Sequence, residues 1–342
     1  MDFQHLESRR EFLKYLSGFT VGMMLPIPVA ARGSVQKDRL GEILPTRKLG
    51  RTNVEVTMLG VGGYHIGWPT EKEAQEVIET ALEGGVRFFD TAESYGPHTS
   101  EIRYGKYLTP QYRDIIFLMT KTYTQSAAVA RKHLEASLKR LKTDYLDLWQ
   151  VHSLQSPEDV DTRINNGFME VMMEAKSSGK VKYIGFTGHA APYAHVRMME
   201  RTTDDPIFET VQMPVNVLDF SYKYSFIQQV LPVALKRNMG VLAMKTLAEG
   251  RFFPVKKHGN RQVWTSDDAV IPDRISIRDA LYFTWSLPVS VLITGAENAG
   301  FIREKVQLAR DFTKLPEKER LRLLDKVADL AEKGTVEYYK RG

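Results

Sequence analysis

The sequence predicts an α/β protein built on a (β/α)8 TIM barrel, and three observations support this prediction. Short apolar runs rich in β-branched and aromatic residues recur eight times, at intervals of roughly thirty residues. Amphipathic helical patterns, with apolar residues at i, i+3, i+4 and i+7, lie between them. The runs are continuously apolar, which is typical of parallel strands buried on both faces. Strands that alternate with helices predict a parallel sheet, and eight is the number of strands that closes such a barrel.

The predicted barrel domain spans residues 46–335, and its elements follow one another in order. A short hairpin over Arg47–Val54 is expected to plug the barrel floor. Residues 247–276 contain Pro and many charges and are expected to form an irregular loop insertion before the last strand. An extra amphipathic helix is predicted near the C-terminus. The eight barrel strands are predicted over Val56–Val61, Val86–Asp90, Ile115–Lys121, Tyr145–Val151, Val181–Phe186, Phe208–Met213, Gly240–Lys245 and Val289–Thr294.

Residues 1–31 are predicted to be an export signal that lies apart from the fold, joined by a linker over 32–45. Arg9 and Arg10 precede an uncharged apolar run that ends in small residues, as a signal peptidase requires. The run is too short and too broken by Gly and Pro to span a bilayer as a stable helix. The segment resembles a twin-arginine signal, which implies periplasmic localisation and contact with the twin-arginine translocation machinery. An ordinary amphipathic N-terminal helix is the alternative.

Composition excludes several classes of protein. The hydrophobic fraction of 43% and the charged fraction of 26% over 342 residues are those of a soluble globular chain. A formal net charge of +5 from 47 basic and 42 acidic residues is too small and too mixed to predict nucleic-acid binding. The absence of cysteine excludes disulfides, thiolate catalysis and cysteine-ligated metal centres, and no metal site is predicted.

Four chemically active side chains stand at the ends of three successive predicted strands. Asp90 ends the second strand and leads into a loop carrying Tyr95, Lys121 ends the third, and His152 follows the fourth. The C-terminal ends of barrel strands share one mouth, so these groups should converge there. A neighbouring lysine lowers the pKa of a phenol, Asp90 would hold that lysine, and His152 could donate to a carbonyl. Singly each residue could be structural, but together they favour general acid–base chemistry.

Longer motifs around these residues resemble the aldo-keto reductase family over roughly residues 45–315. They include Gly85-Val86-Arg87-Phe88-Phe89-Asp90-Thr91-Ala92-Glu93-Ser94-Tyr95-Gly96, Thr120-Lys121 and Gly179-Lys180-Val181. The resemblance implies a nicotinamide cofactor, NADP(H) or NAD(H), across the barrel mouth. It also implies Tyr95 as proton donor, Lys121 and Asp90 as its tuning pair, and His152 as the group that orients a carbonyl. Implied cofactor contacts come from Gly63, Thr187, Gln212, Met244, Lys245, Leu247, Gly295, Arg303 and Lys305.

The sequence departs from the family pattern at the cofactor positions. Thr187 keeps a hydroxyl where the family commonly has Ser-Asn, but the amide partner is lost, and Met244 stands where many relatives place an aromatic ring. Gly295 and Phe301 occupy positions that are often basic in relatives, and Glu297 would repel a 2′-phosphate. Arg303 and Lys305 could substitute from the next helical turn. The choice between NADP(H) and NAD(H) therefore stays open.

Two functions of different classes remain. The first is an NAD(P)(H)-dependent oxidoreductase that interconverts an aldehyde or ketone and an alcohol by hydride transfer, with Tyr95 as general acid/base. The alternative is an exported reductase-like barrel that binds nicotinamide cofactor as a redox-sensing or structural partner with little turnover. The complete set of four groups favours the first, whereas the altered amide site favours the second. An apolar or aromatic carbonyl substrate is expected from the aromatic residues Tyr64, Trp68, Tyr123, Phe252, Phe253 and Trp264.

Overall fold

The structure, a computed structural model, describes residues 9–23, 36–203, 207–258 and 261–340. Its strands are β1 (Lys37–Asp38), β2 (Gly41–Glu42), β3 (Thr46–Lys48), β4 (Glu55–Thr57), β5 (Leu59–Gly62), β6 (Phe88–Asp90), β7 (Phe117–Thr122), β8 (Leu146–Val151), β9 (Val181–Thr187), β10 (Thr210–Pro214), β11 (Gly240–Met244), β12 (Val255–His258), β13 (Arg261–Thr265) and β14 (Val291–Thr294). Its α-helices are α1 (Arg9–Met23), α2 (Glu71–Glu83), α3 (Thr99–Tyr107), α4 (Thr109–Tyr112), α5 (Ala127–Leu141), α6 (Pro157–Asn165), α7 (Phe168–Ser177), α8 (Pro192–Arg201), α9 (Phe226–Gln229), α10 (Leu231–Lys236), α11 (Ile277–Trp285), α12 (Ala299–Arg310), α13 (Glu317–Asp325) and α14 (Ala328–Lys333).

Eight parallel strands close into the predicted barrel. Strands β5 to β11 pair in chain order, and β14 lies between β11 and β5 and completes the ring. Helices pack around it, so the main core lies between the strands and the helices. A second cluster, which includes the stacked rings of Phe88 and Phe117 with centroids 5.0 Å apart, fills the barrel interior. The (β/α)8 fold class is therefore confirmed.

The first predicted strand, Val56–Val61, is in fact two strands. Strand β4 pairs with β3 as the antiparallel floor hairpin, with Arg47 opposite Val56, while β5 begins at Leu59 and joins the barrel. The hairpin is thus placed as predicted but extends further than Arg47–Val54. The pattern hides the break at Met58 because the residues on both sides of it are buried.

Side-chain caps decide where the barrel-mouth loops end and the helices begin. Thr70 accepts from the Glu73 amide while the Glu73 carboxylate accepts from the Thr70 amide, which forms a capping box at the start of α2. Four other helices begin with a side chain that accepts a hydrogen bond from a backbone amide of the first turn. The capping residues of α5, α6, α11 and α12 are Ser126, Ser156, Ser276 and Asn298. Each capped helix therefore has a fixed start, which also fixes the loop that precedes it.

Two predicted segments near the C-terminal half differ in detail from the structure. The sequence predicts an irregular insertion over 247–276, but the structure contains the antiparallel hairpin β12–β13 there. Its sequence does not alternate cleanly between apolar and polar residues, and the hairpin has a register shift between Lys256 and Lys257. The single extra C-terminal helix is resolved as two, α13 and α14.

The N-terminal helix α1 packs on the outside of the barrel. Phe12, Leu13 and Leu16 are buried in the main core cluster. Arg9 pairs with Asp325 at 3.1 Å and Arg10 pairs with Glu317 at 2.9 Å, both on α13. This packing differs from the expectation that the whole segment 1–31 lies apart from the fold.

Much of the predicted signal peptide and linker lies outside the described residues. Residues 1–8, 24–31 and the linker residues 32–35 are not described. Within the described part of the linker, β1 and β2 pair as a small hairpin, and Asp38 on β1 binds Arg87. Among the described helices, none combines the length and the apolar character needed to cross a membrane.

Candidate active site

Asp90, Tyr95, Lys121 and His152 meet at the C-terminal mouth of the barrel, as their strand-end positions predict. The Lys121 side chain is 1% exposed, and its ammonium binds the Asp90 carboxylate and donates to the Thr91 carbonyl at 2.9 Å. The same ammonium lies 3.4 Å from the Tyr95 hydroxyl. The ring of His152 lies edge-on to the ring of Tyr95, with centroids 5.8 Å apart. A phenol, an ammonium and an imidazole therefore face one space.

The charges of Lys121 and Tyr95 follow from their neighbours. Burial opposes the charge on Lys121, but Asp90 and Tyr95 raise its pKa above the ordinary value, so it stays an ammonium. Burial also raises the pKa of Tyr95, and this effect exceeds the lowering by Lys121. Lys121 lowers the pKa of Tyr95 as the sequence predicts, but burial outweighs it, so the net pKa lies above the ordinary value of a phenol. Tyr95 remains protonated, which suits a proton donor.

His152 is neutral at physiological pH. Burial lowers its pKa well below the ordinary histidine value, and the positive charges of Lys121 and other nearby groups add to this effect. A neutral imidazole offers one N–H donor and one acceptor nitrogen. Its Nδ1 is buried, and no residue in the described ranges bonds to it. His152 can therefore donate a hydrogen bond to a carbonyl without delivering a full charge.

Thr187 and Gln212 lie side by side on β9 and β10, where the family resemblance places the carboxamide of the cofactor. They are opposite each other in the parallel register, and each is 2% exposed. The Gln212 side chain hydrogen bonds to Asp90, while its Oε1 is buried and has no partner among the described residues. A buried acceptor without a partner is costly unless a ligand supplies the donor. A carboxamide N–H would satisfy it.

Gly63 follows β5 and packs against the backbone that carries Asp90. A Cβ atom at Gly63 would overlap the Asp90 carbonyl oxygen and the Ser100 hydroxyl. Only glycine therefore allows the loop after β5 to approach the end of β6 so closely.

Met244, Lys245 and Leu247 end the seventh barrel strand and begin the loop after it. Lys245 pairs with Glu249, and its ammonium lies 4.5 Å from the centroid of the Tyr339 ring. Burial, together with the charge of Lys256, lowers the pKa of Lys245 to about 7. Met244 and Leu247 are both partly exposed, and Leu247 packs against the core.

The loop after β14 contains Gly295 and is braced by two side chains. A Cβ atom at Gly295 would collide with the ring of His65, so the basic side chain common in relatives cannot stand there without a shift. His65 lies 3.3 Å from Glu297, and this contact lowers the pKa of Glu297 to about 2. Lys305 is 7% exposed and donates to the Gly295 carbonyl at 2.6 Å. Glu297 is thus ionised, and the ammonium of Lys305 already has a partner.

Arg303 is exposed on α12, one helical turn beyond the cap of that helix. Burial lowers the pKa of Lys305 to about 8, so Lys305 carries only part of its charge above that pH. Of the two basic residues expected to replace a missing phosphate contact, Arg303 is therefore the one that faces solvent.

Two residues of this region were not predicted from the sequence. His65 stands three residues beyond the end of the first barrel strand, so the strand-end rule that found Asp90 could have found it. Tyr339 reaches the mouth from the C-terminal tail, which is anchored by the fully buried Lys340 between Asp219 and Glu337. No local pattern indicates that contact, because it joins segments far apart in the chain.

An aromatic rim surrounds the candidate site and consists of Tyr64, Trp68 and Tyr123. Each is about half exposed, at 48%, 48% and 52%. The Tyr64 ring is 5.6 Å from the Tyr95 ring, and the Tyr123 ring is 6.2 Å from the His152 ring.

One aromatic residue of the insertion, Phe252, lies elsewhere than the sequence predicts. Phe252 is fully buried and Phe253 packs on the core. Trp264 lies under the guanidinium of Arg251, with 4.6 Å between that group and the ring centroid. Phe252 therefore does not contribute an exposed ring to a substrate pocket. No group of three or more His, Asp or Glu side chains within the described ranges could hold a metal ion.

Comparison with known proteins places these features in a family. The aldo/keto reductase family model matches residues 58–335. An uncharacterized oxidoreductase, YrpG, from Bacillus subtilis is 31% identical over 228 residues, which cover 59% of this chain and 66% of that protein. An aldo-keto reductase, YhdN, from the same organism is 30% identical, with 58% and 61% covered. The chain thus spans less than two thirds of these two relatives.

Two further similarities extend over more of the chain. A 6-dehydroglucose reductase from Novosphingobium aromaticivorans is 27% identical, and the match covers 75% of this chain and 88% of that protein. The holo form of an aldo-keto reductase from Bacillus halodurans has the same fold, with a TM-score of 0.69, 24% identity, and 83% and 96% of the two chains covered. Because the family model matches most of the chain, this protein belongs to the aldo/keto reductase family.

Proposed function

We propose that the protein is an NAD(P)(H)-dependent oxidoreductase that interconverts an aldehyde or ketone and an alcohol, with Tyr95 as general acid/base. The observation that carries this proposal is the 3.4 Å approach of the buried Lys121 ammonium to the Tyr95 hydroxyl. Family membership supports the same chemistry. A bound nicotinamide cofactor would supply the hydride.

The chain's own residues would orient the carbonyl and deliver the proton. Neutral His152 donates a hydrogen bond to the carbonyl oxygen and turns it toward Tyr95. Tyr95 then gives its proton to that oxygen, because an alkoxide is too basic to leave unprotonated. Lys121 stabilises the resulting phenolate, and Asp90 keeps Lys121 charged and in place. In the opposite direction the phenolate accepts the proton of the alcohol.

The residues at the mouth fit the cofactor that the family implies. Gln212 and Thr187 would hold the carboxamide, since the Gln212 Oε1 lacks a donor in the described structure. Met244 could cover the nicotinamide face, because a thioether packs well on a ring. Lys245, Leu247, Gly295 and Arg303 would border the remainder of the dinucleotide.

The aromatic rim supports a substrate with an apolar or aromatic face next to its carbonyl. Tyr64 and Tyr123 flank Tyr95 and His152, so such a face could lie on them while the carbonyl points inward. The relative from Novosphingobium is named for a sugar, 6-dehydroglucose. Sugars also present apolar faces, so a sugar carbonyl belongs in the substrate panel.

An assay of steady-state turnover tests the proposed function. Purified protein with NADPH or NADH and 4-nitrobenzaldehyde should oxidise many equivalents of reduced cofactor per protein molecule. Mass analysis of the purified protein should also reveal a bound nicotinamide dinucleotide. Cofactor binding without turnover on any carbonyl would instead support the alternative, a sensing or structural barrel.

Selection for the 2′-phosphate is expected to be weak. Glu297 is ionised, and the ring of His65 leaves no room for a basic side chain at position 295. A 2′-phosphate near this loop would therefore meet repulsion from Glu297 rather than form an ion pair. Fluorescence titration should give a preference for NADPH over NADH below about a hundredfold, or about 2.8 kcal/mol. Glu297→Gln should shift the ratio of dissociation constants toward NADPH by several-fold.

Glu304→Gln is the matched control for the cofactor experiment. Glu304 is an exposed acid on the same helix, α12, and should leave the ratio unchanged. A wild-type preference for NADPH above about a hundredfold would show that Arg303, Lys245 or Lys305 forms a phosphate site after all.

We also propose that the protein is exported to the periplasm through the twin-arginine route. Changing Arg9 and Arg10 together to Lys should leave the protein inside the cell, measured by fractionation. Lysine keeps the charge that pairs with Asp325 and Glu317, so the docking of α1 should be little changed. Asp325→Asn with Glu317→Gln removes both ion pairs but not the signal, and should be exported normally. Unchanged export of the double-lysine variant would refute the targeting proposal.

A further inference from the structure

The catalytic geometry depends on two segments, the loop that carries Tyr95 and the strand that carries Lys121, which are separated by more than twenty residues of chain. Tyr95 belongs to the loop after β6, whereas Lys121 belongs to β7. Their 3.4 Å separation therefore depends on whatever holds the loop against the end of β7. A displacement of about 1 Å at such a site can cost as much as a hundredfold in rate.

A single buried carboxylate joins these two segments. Glu93 is 4% exposed and stands two residues before Tyr95. Its Oε2 accepts from the amide of Ser94 at 3.1 Å, within the Tyr95 loop. Its Oε1 accepts from the amide of Tyr123 at 2.7 Å, two residues beyond Lys121. The backbone amide of Glu93 also donates to the Lys121 carbonyl at 3.4 Å.

A histidine on the outer helix completes this connection. Nδ1 of His133, on α5, lies 3.3 Å from the Glu93 carboxylate and 2.9 Å from the Thr122 hydroxyl. Glu93 therefore contacts the catalytic loop, the end of the third barrel strand and the helix that follows that strand. The hydrogen bond from the Tyr123 amide to Glu93 also holds the backbone of Tyr123, whose ring borders His152.

Electrostatics alone do not explain an acid at this position. Burial is the main cause of the raised pKa of Tyr95, and the charges of Asp90 and Glu93 both raise it further. The charge of Glu93 thus opposes phenolate formation. Its geometry, in contrast, favours catalysis, because the two carboxylate oxygens of Glu93 accept hydrogen bonds from the backbone segments that carry Tyr95 and Lys121.

We propose that Glu93 is a positioning residue that fastens the Tyr95 loop to the end of β7, so that Tyr95 and Lys121 keep their separation. This inference rests on the proposed function for its catalytic consequence, but not for its structural one. Removal of Glu93 should free the loop without removing any group that contacts substrate or cofactor.

Asp147 provides a matched control at the opposite end of the barrel. It is also buried, at 5% exposure, and accepts from the amide of Leu118 at 2.9 Å. It binds Arg113 at 2.8 Å and Lys182 at 2.9 Å. Asp147, on β8, thus joins β7 and β9 near the N-terminal ends of these strands, at the end of the barrel opposite the mouth. Asp147→Asn should lower stability but leave the mouth intact.

The test compares Glu93→Ala, Glu93→Gln and Asp147→Asn by kinetics and hydrogen exchange. Glu93→Ala should lower kcat at least about tenfold and leave the dissociation constant for NADPH within about twofold. It should also speed exchange of the Ser94 and Tyr123 amides. Glu93→Gln should recover part of kcat, because its amide oxygen can still accept from Tyr123. Asp147→Asn should lower the melting temperature while changing neither kcat nor the exchange of those two amides.

The outcomes separate this inference from the proposed function. If wild-type protein shows no turnover, the proposed function fails, while the exchange rates still decide whether Glu93 holds the loop. Unchanged protection of Ser94 and Tyr123 in Glu93→Ala would overturn the positioning role. An equal loss of kcat in Glu93→Ala and Asp147→Asn would also overturn it, since it would show a general loss of stability.

Discussion

Replacement of Tyr95 by Phe is expected to lower kcat by at least about a hundredfold while dinucleotide binding survives. General acid catalysis typically contributes about 10²–10⁴-fold, and the substitution removes only the hydroxyl that donates the proton. The ring remains, so its contacts with the rings of Tyr64 and His152, at 5.6 and 5.8 Å, should persist. Steady-state kinetics and fluorescence titration with NADPH measure the two effects separately.

Tyr64→Phe is the matched control for this experiment. It removes a neighbouring phenolic hydroxyl from a ring that is 48% exposed and lies outside the Asp90–Lys121 pair. Its kcat should stay within a few-fold of wild type. If Tyr95→Phe retains near-normal turnover, Tyr95 is not the acid, and another donor or the sensing barrel becomes the better account.

Lys121→Met is expected to lower kcat by a similar factor, at least about a hundredfold, for a different reason. Burial already raises the pKa of Tyr95, and the ammonium of Lys121 is the group that opposes this rise. Without the ammonium, the phenolate loses the positive charge that stabilises it. The kcat of alcohol oxidation should fall with that of carbonyl reduction, because the phenolate takes part in both directions.

The Lys121 variant needs a control for stability. Removing the lysine leaves the Asp90 carboxylate buried without its cation, which typically costs about 3–5 kcal/mol. The double variant Lys121→Met with Asp90→Asn removes the unpaired charge and should recover much of the melting temperature. Its kcat should stay low. Recovery of both stability and rate in the double variant would show that the lysine acts only by supporting the fold.

Sequence patterns predicted which side chains meet at the barrel mouth because barrel geometry is simple. Asp90, Lys121 and His152 follow from the rule that strand ends share one mouth, and Tyr95 lies in the loop that follows one of them. The strand period also predicted the closed barrel. What the pattern could not show was the break at Met58, because buried residues on both sides of it look alike.

Features that depend on contacts between distant segments were not predictable. His65 braces Glu297, and the C-terminal tail brings Tyr339 to Lys245. The burial of Phe252 also depends on how the insertion folds, which its mixed pattern did not reveal. The direction of the Tyr95 pKa required the balance between burial and the charge of Lys121, which only three-dimensional structure provides.

Hydride transfer to a carbonyl carbon defines the proposed function, and isotope labelling measures it directly. The protein is incubated with a large excess of NADPH or NADH that carries deuterium at the transferable C4 position. The substrate is 4-nitrobenzaldehyde in one reaction and D-glucose in another. We expect wild-type protein to form many equivalents per protein molecule of an alcohol with deuterium on the former carbonyl carbon, and Tyr95→Phe to form far less of it in the same time. Absence of labelled alcohol with both cofactors and both substrates, from protein that binds the dinucleotide, would show that the proposed function is wrong.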